Sequence, residues 1–378
     1  MSFSLFAACA PGLEPATAQE LRRLNLANLN STPGGVAFRG SQRDLYRTNL
    51  ELRTASRILV RIGDFHTTAF ADLRAKASRL PWEAFLRPGQ TLALKVTCHK
   101  SKLYHSDAIA ERIVGAIEDR LGGKVNSAKG DDEADTHPAQ LVLARCVRDR
   151  CVISLDSSGA LLHQRGYRLA TAKAPLRETL AAGMLLASGW DKTSPLLDPF
   201  CGSGTVAIEA ALLAMNRAPG RARRFAFMEW PDFDAAQWSS LLADADARII
   251  SAAPLILASD RDAGAIEAAC ANAERAGALD RIQFSRRAVS AIEPPAAHGW
   301  VITNPPYGVR VSANKNLRNL YAQFGKTLRA RCPGWRVVLL SAEANLTRSA
   351  GLDFTKALAW VNGGLRVHLM LGSVPAKA

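Results

Sequence analysis

The sequence predicts an α/β protein: an open, mostly parallel, doubly wound sheet in its second half, ending in an antiparallel hairpin, with smaller α+β units in front. Three stretches carry that prediction. Pro195-Leu196-Leu197-Asp198-Pro199-Phe200-Cys201-Gly202-Ser203-Gly204-Thr205, followed by Val206 to Leu213, reads as strand, tight glycine turn and helix, the order in which such a sheet makes its first ligand contact. Leu255-Ile256-Leu257-Ala258 ends in Ser259-Asp260-Arg261-Asp262, putting a carboxylate at the tip of a second strand, where a ribose diol is held. Trp300-Val301-Ile302-Thr303 runs into Asn304-Pro305-Pro306-Tyr307-Gly308. Paired prolines cannot continue a ladder, so the chain leaves the sheet there and Asn304 lies at a strand's carboxyl end.

That last stretch has a chemical reading. A side-chain amide, a carbonyl freed from pairing and an aromatic ring within four residues suit a flat ring bearing an exocyclic amino group. The amide and carbonyl accept its two N–H bonds while the tyrosine stacks on its face. The plainer reading is a proline-rich loop with a packed tyrosine, and the glycine turn decides between them. Only Gly202 and Gly204 of the dinucleotide G-x-G-x-x-G pattern are present, with Ala207 in third place, which disfavours NAD. An acid ahead of the glycines suggests a ligand with an ammonium group.

Taken in order, Phe3 to Ala7 reads as a strand, Gly12 to Asn25 as a helix, Gly34 to Gly40 as a strand between glycine turns, Asp44 to Ala55 as a helix and Arg57 to Ile62 as a strand. A small α+β unit fits this order. Phe70 to Leu80 is then a helix and Leu92 to Cys98 an alternating strand. Ser106 caps a helix with Ile109, Ile113, Ile117 and Leu121 inward and Gly122-Gly123 as its stop. Asp131-Asp132-Glu133-Ala134-Asp135 is an acidic, solvated loop. Leu141 to Arg145 and Cys151 to Leu155 form a hairpin around Arg148-Asp149. The segment His99-Lys100-Ser101-Lys102-Leu103-Tyr104-His105 sets positive charge beside an aromatic; it reads either as an ordinary basic loop or as a grip on an RNA backbone. A short hinge is expected at Ser157-Ser158-Gly159. Beyond it come a helix over Arg177 to Ser188, strands at Leu255 to Ala258, Ile282 to Ser285, Trp300 to Thr303 and Arg336 to Leu340, and helices at Asp262 to Ala276 and Leu317 to Arg331. A final hairpin flanks Asn362-Gly363-Gly364.

D-P-F-C-G-S-G, S-D-R-D and N-P-P-Y-G, in that order and spacing, resemble the class I S-adenosylmethionine-dependent methyltransferases of exocyclic amino groups. Leu162-His163-Gln164-Arg165-Gly166-Tyr167-Arg168 with Ala174-Pro175-Leu176-Arg177-Glu178-Thr179 resembles their RNA-methylating, THUMP-containing branch, and within it the guanine-N2 half of the bifunctional bacterial large-subunit rRNA enzymes. The resemblance implies a ferredoxin-like domain at 1–65, a THUMP RNA-binding domain at 66–158 and a Rossmann-like class I methyltransferase sheet at 159–378. It implies S-adenosylmethionine as cofactor, with Gly202-Ser203-Gly204 under the methionine part, Asp198 near its ammonium group, Phe200 and Thr205 in the same stretch and Asp260 at the ribose hydroxyls. Asn304, Pro305, Pro306 and Tyr307 form the implied catalytic set, Asn304 also adjoining the cofactor, while Asp262 caps the next helix. One departure stands out: relatives hold the adenine amino group with an aspartate, where this chain has Ala288 within Arg286-Arg287-Ala288-Val289. Neither a metal nor a covalent intermediate is expected. The implied partner is RNA, 23S rRNA first. A tRNA guanine-N2 enzyme, an adenine-N6 enzyme of RNA or DNA, and a non-catalytic RNA-binding assembly factor stay open as alternatives.

Bulk properties agree with a polyanionic partner. The chain has 378 residues, a formal charge of +14 and a pI near 9.8. From residue 159 onward there are 26 Lys and Arg against 17 Asp and Glu, so the second part is basic in its own right. Seven scattered cysteines without a C-x-x-C pair, and histidines without ligand spacing, argue against a disulfide framework and a zinc site. The opening has no basic n-region and no apolar run nears ~18 residues, so no membrane span and a cytoplasmic location are expected. The pattern says nothing of oligomeric state.

Overall fold

Two sheets organise the chain in the computed structural model, which describes residues 2–129, 139–169, 176–252, 254–307, 314–362 and 364–376. The first is built from β1 (Phe3–Cys9), α1 (Glu14–Arg23), β2 (Asn30–Thr32), β3 (Gly35–Gly40), α2 (Gln42–Glu51), β4 (Ala55–His66), α3 (Phe70–Ala77), β5 (Thr91–His99), α4 (Ser106–Leu121), β6 (Asn126–Lys129), β7 (Gln140–Val147) and β8 (Arg150–Asp156). Its eight strands run in the order β2-β3-β1-β4-β8-β7-β5-β6. β4 is twelve residues long; it pairs antiparallel with β1 from Ala55 to Arg61 and with β8 from Leu59 to His66. One strand thus joins the two amino-terminal units into a continuous sheet.

Local chemistry explains most ends. Ser41 and Asp44 form a capping box at the start of α2, and Gly122 adopts the left-handed conformation that stops α4. Arg148 and Asp149, with φ of 51° and 64°, make the tight turn between β7 and β8. Two expectations are corrected. Ser106 does not cap α4: it is already the first helical residue, and extended His105 precedes it without a side-chain cap bond. Ser157 and Ser158 are no hinge, because both are fully buried. Ser157 Oγ donates to Ile58 O at 2.7 Å, and Ser158 Oγ accepts from Ile58 N and donates to Asn49 Oδ1. The acidic loop at 131–135, Ala174-Pro175 and Gly308 lie outside the described residues.

The second sheet follows α5 (Glu178–Ser188) and comprises β9 (Leu196–Asp198), α6 (Thr205–Ala214), α7 (Ala235–Ala247), β10 (Ile256–Asp260), α8 (Ala263–Ala276), β11 (Ile282–Arg286), β12 (Trp300–Thr303), α9 (Asn314–Arg331), β13 (Arg336–Ser341), α10 (Ala344–Ser349), β14 (Phe354–Asn362) and β15 (Leu365–Ser373). Its order is β11-β10-β9-β12-β13-β15-β14, parallel through β13 and then antiparallel, the hairpin the sequence predicts. Alternation along the strands sends Leu196, Ile256 and Ile302 into the core under α5, α6 and α8. It sends Leu197, Val301 and Val337 to the opposite face, against Phe324 and Leu328 of α9.

The two sheets are not independent bodies. Residues after α6 leave the second sheet, and Phe225, Phe227, Trp230 and Trp238 join the core of the first. Phe227 stacks on Tyr46 at 4.5 Å and Trp230 meets Phe85 edge-on at 4.9 Å. Buried Arg53 donates to the carbonyls of Leu212 and Arg217 around the end of α6, at 3.2 and 2.5 Å. Arg165 in turn donates to Arg53 O at 2.6 Å and lies 3.6 Å from Glu209 of α6. The helix that begins at the glycine turn is therefore fastened to the amino-terminal half.

Candidate active site

Strands β10, β9 and β12 end side by side, and the sheet reverses its winding between β9 and β12. In open α/β sheets the ligand crevice forms at that switch point. Each strand brings one predicted polar side chain: Asp260 closes β10, Asp198 closes β9, and Asn304 follows Thr303, the last residue of β12.

The glycine turn is left-handed twice, with φ of 52° at Gly202 and 85° at Gly204. A Cβ at Gly204 would come within 3.1 Å of Ala269 Cβ on α8, so a side chain there would be tight against the helix as well as strained by the positive φ. A Cβ at Gly202 would meet nothing within 4 Å: this part of the turn faces open space. Asp260 holds the turn by accepting Gly202 N–H at 3.1 Å through Oδ2, while Oδ1 accepts Asp262 N–H at 3.0 Å. Asp262 caps α8 through the N–H groups of Gly264 and Ala265, as predicted. Buried Asn272 donates to Ser203 O at 3.0 Å. Sequence reasoning missed Asn272; its signal is a lone amide among Ala269, Ala273 and Ala276 on the inner face of α8.

Asp198 is 1 % exposed and accepts the Thr303 hydroxyl at 2.6 Å and the Phe200 N–H at 3.4 Å. Burial pushes its carboxyl pKa up to about 7; the two hydrogen bonds oppose the rise and Asp260 adds to it. A buried carboxyl so poised gains from a cation beside it. Asn304 is half-buried, and its Oδ1 is buried with no hydrogen-bond partner. Such an orphaned acceptor costs stability unless a ligand N–H satisfies it. Pro305 is buried behind it. The Tyr307 hydroxyl accepts an N–H from Asn362 Nδ2 at 2.9 Å, tying the ring to the tip of β14, and burial pushes that hydroxyl pKa up.

Other predicted residues sit differently. Ser203 and Thr205 are buried within the turn and the first residue of α6, and Phe200 turns its ring edge-on to Phe324 of α9, 5.5 Å away. Arg287 N–H bonds to Asp260 O at 2.9 Å, just before Ala288. A cavity of about 490 Å³ lies on the α9 side of β9, β10 and β11, with Leu257, Gln283 and Ser285 in its wall; none of Asp198, Gly202, Asp260 or Asn304 lines it. The converging groups at the strand ends are acceptors: two carboxylates and an amide oxygen. They fit a ligand carrying an ammonium group and a second one presenting an amino group. Among the described residues no three His, Cys, Asp or Glu side chains are grouped to hold a metal, and no helix is long and apolar enough to cross a membrane.

Comparison with known proteins places the chain. Residues 165–370 match the RMKL-like methyltransferase domain, 4–59 the RlmL ferredoxin-like domain and 67–156 the THUMP domain. A protein of Synechocystis named putative RNA methyltransferase slr0064 is 38 % identical over 97 % of this chain and 95 % of its own length. A ribosomal RNA large subunit methyltransferase K/L of Syntrophotalea carbinolica is 36 % identical over 97 % of this chain but 53 % of its own, so the chain spans about half the length of such relatives. The crystal structure of SMU.472, a putative methyltransferase complexed with SAH, superposes with a TM-score of 0.87 at 30 % identity, covering 100 % of this chain and 99 % of that one.

Proposed function

The chain belongs to the RMKL-like methyltransferases that carry a ferredoxin-like and a THUMP domain, and from that premise we propose that it methylates the exocyclic N2 of a guanine in RNA, with 23S rRNA as substrate. S-adenosylmethionine is the cofactor of this fold, and when bound it supplies an electrophilic methyl group on a sulfonium. Asp198 would hold its ammonium group, Asp260 its ribose, and Gly202-Ser203-Gly204 would pass beneath it. The open space at Gly202 and the buried carboxyl of Asp198, whose charged form lacks a cationic partner among the described residues, support that assignment.

The observation that carries the reading is the unpartnered Oδ1 of Asn304 at the end of β12. An exocyclic amine is a weak nucleophile because its lone pair is drawn into the ring. Asn304 Oδ1 would accept one of its hydrogens and the Pro305 carbonyl the other, orienting the nitrogen and stabilising the positive charge that builds there as the nitrogen–carbon bond forms, the sulfur–carbon bond breaks to leave a neutral thioether and the surplus proton passes to water. Tyr307 stacks on the base, which must leave its neighbours to reach the pocket. Asn362 holds that ring in place. Guanine over adenine is supported by the resemblance to the guanine-N2 enzymes, and 23S rRNA by the name of the large-subunit relative. The division at 65/66 and 158/159 belongs to the same reading, supported by where the three domain matches begin and end.

The test uses labelled S-adenosylmethionine with unmodified 23S rRNA, 16S rRNA and bulk tRNA in turn, followed by digestion and mass spectrometry of the nucleosides. N2-methylguanosine from 23S rRNA alone is expected. N6-methyladenosine overturns the base, a tRNA product overturns the substrate, and no transfer to any RNA overturns the enzyme.

A further inference from the structure

We propose that the loop joining β5 to α4 is a second RNA contact, remote in sequence from the catalytic residues: Tyr104 stacks on one unpaired nucleotide, and Lys100, Lys102 and Arg148 hold the flanking phosphates. The proposal rests on the RNA reading above and adds a site and a class of ligand, single-stranded RNA.

Tyr104 is 68 % exposed, the sole aromatic among the exposed large apolar side chains of the described residues. A ring left in water forgoes roughly 1.5–3 kcal/mol of burial, so its position is not explained by packing. Its neighbours fix it there. Leu103 is 4 % exposed and anchors the loop, and the His105 ring lies 4.1 Å from that of Tyr104, at 39°, leaning on it from one side. The rest of the loop is bolted to the β7–β8 turn. Lys102 N–H donates to the Asp149 carboxylate at 2.6 Å, Asp149 N–H to Ser101 Oγ at 3.1 Å, and Arg148 N–H to His99 O at 3.1 Å. Asp149 O in turn accepts Thr67 N–H at 2.8 Å. Two loops behave as one preorganised piece, so little ordering remains to oppose binding.

Charge completes the argument. Asp149 is engaged by backbone, and Lys100, Lys102 and Arg148 are exposed with no carboxylate partner among the described residues. Some exposed arginines of the same half are paired, Arg74 with Asp119, Arg120 with Glu83 and Arg150 with Asp64, and others such as Arg87 and Arg112 have no carboxylate partner among the described residues, so it is the open ring beside these three cations that sets the loop apart. Unpaired cations around an open aromatic face suit a phosphate–base–phosphate step. An A-form duplex hides its base faces, so only an unpaired nucleotide can use the ring.

The experiment measures binding of a twelve-nucleotide single-stranded RNA, and of a blunt duplex containing it, to the full chain by fluorescence anisotropy. Tyr104→Ala is expected to weaken the single strand on the order of 10-fold and the duplex hardly at all, with Tyr104→Trp restoring it. Lys100→Glu with Lys102→Glu should weaken both and lower the single-strand salt slope by about 1.4. With a full-length RNA substrate, Tyr104→Ala should raise KM and leave kcat and cofactor binding unchanged. Single-strand affinity unchanged in Tyr104→Ala, or equal losses on both probes, overturns the platform. Methyl transfer by the wild type is scored separately: an active enzyme whose Tyr104→Ala form binds normally keeps the guanine reading and loses this one.

Discussion

Asn304 and Asp198 show how much chemistry one side chain at a strand end can carry. On the function proposed here, Asn304→Ala removes the acceptor that orients the amino group and meets its developing charge, so kcat should fall on the order of 10²-fold, with a smaller change in cofactor affinity measured calorimetrically. Asp198 gives a pH signature. Its folded-state pKa, about 7, lies above the ordinary carboxylate value, so the folded protein keeps a proton that the unfolded chain has released. Stability conferred by that proton is lost as pH rises toward 7. Asp198→Asn should therefore raise the melting temperature of the ligand-free protein at pH 8, by a few degrees, and leave it unchanged at pH 4. Cofactor affinity should rise with pH up to about 7 in the wild type and be weak and flat in the variant. The places of both residues at strand ends were legible in the sequence because motif and strand end coincide. The contacts of Thr303, Asn272 and Asn362 were not, since their partners lie 105, 69 and 55 positions away respectively.

At the scale of elements, the closing hairpin does more than finish the sheet. Its place was readable from alternating apolar residues around Asn362-Gly363-Gly364, whereas its bond to Tyr307 joins segments that only the fold brings together. Asn362→Ala should leave the melting temperature nearly unchanged but free the Tyr307 ring, raising KM for RNA several-fold; an unchanged KM would place the ring outside the binding surface. Elements without an apolar rhythm escaped the sequence reading. β2 is Asn-Ser-Thr, exposed throughout, and β6 is a four-residue edge strand. α7 turns only Trp238, Leu241 and Ala245 inward, and its partners are in the other half of the chain.

Across the whole molecule, the sequence suggested units in succession, while the pairing of β4 with both β1 and β8 fuses the first two and the aromatic segment after α6 keys the third into them. Non-local pairing leaves no local trace, which is why composition and periodicity could not announce it. Heating should give one transition, coincident by far-UV circular dichroism and tryptophan fluorescence, because Trp82 and Trp230 share the first core with Tyr46. The charge reading gains from the interior: among the described residues five buried carboxyl groups (Glu20, Asp156, Glu178, Asp198, Glu209) stand against three buried guanidinium groups (Arg53, Arg57, Arg165), so the core does not account for the positive surplus.

The shared strand β4 has one more consequence. A continuous sheet cannot flex between its halves as a linker does, and Arg53 and Arg165 fasten that sheet to the helix that opens at the glycine turn. The span from Tyr104 to Asn304 is then a fixed length, and on the function proposed here the protein works as a caliper. It accepts an RNA by the separation between a loose nucleotide and the guanine to be modified, so inserting or deleting a few base pairs between the two should abolish methylation while leaving the sequence around the guanine intact.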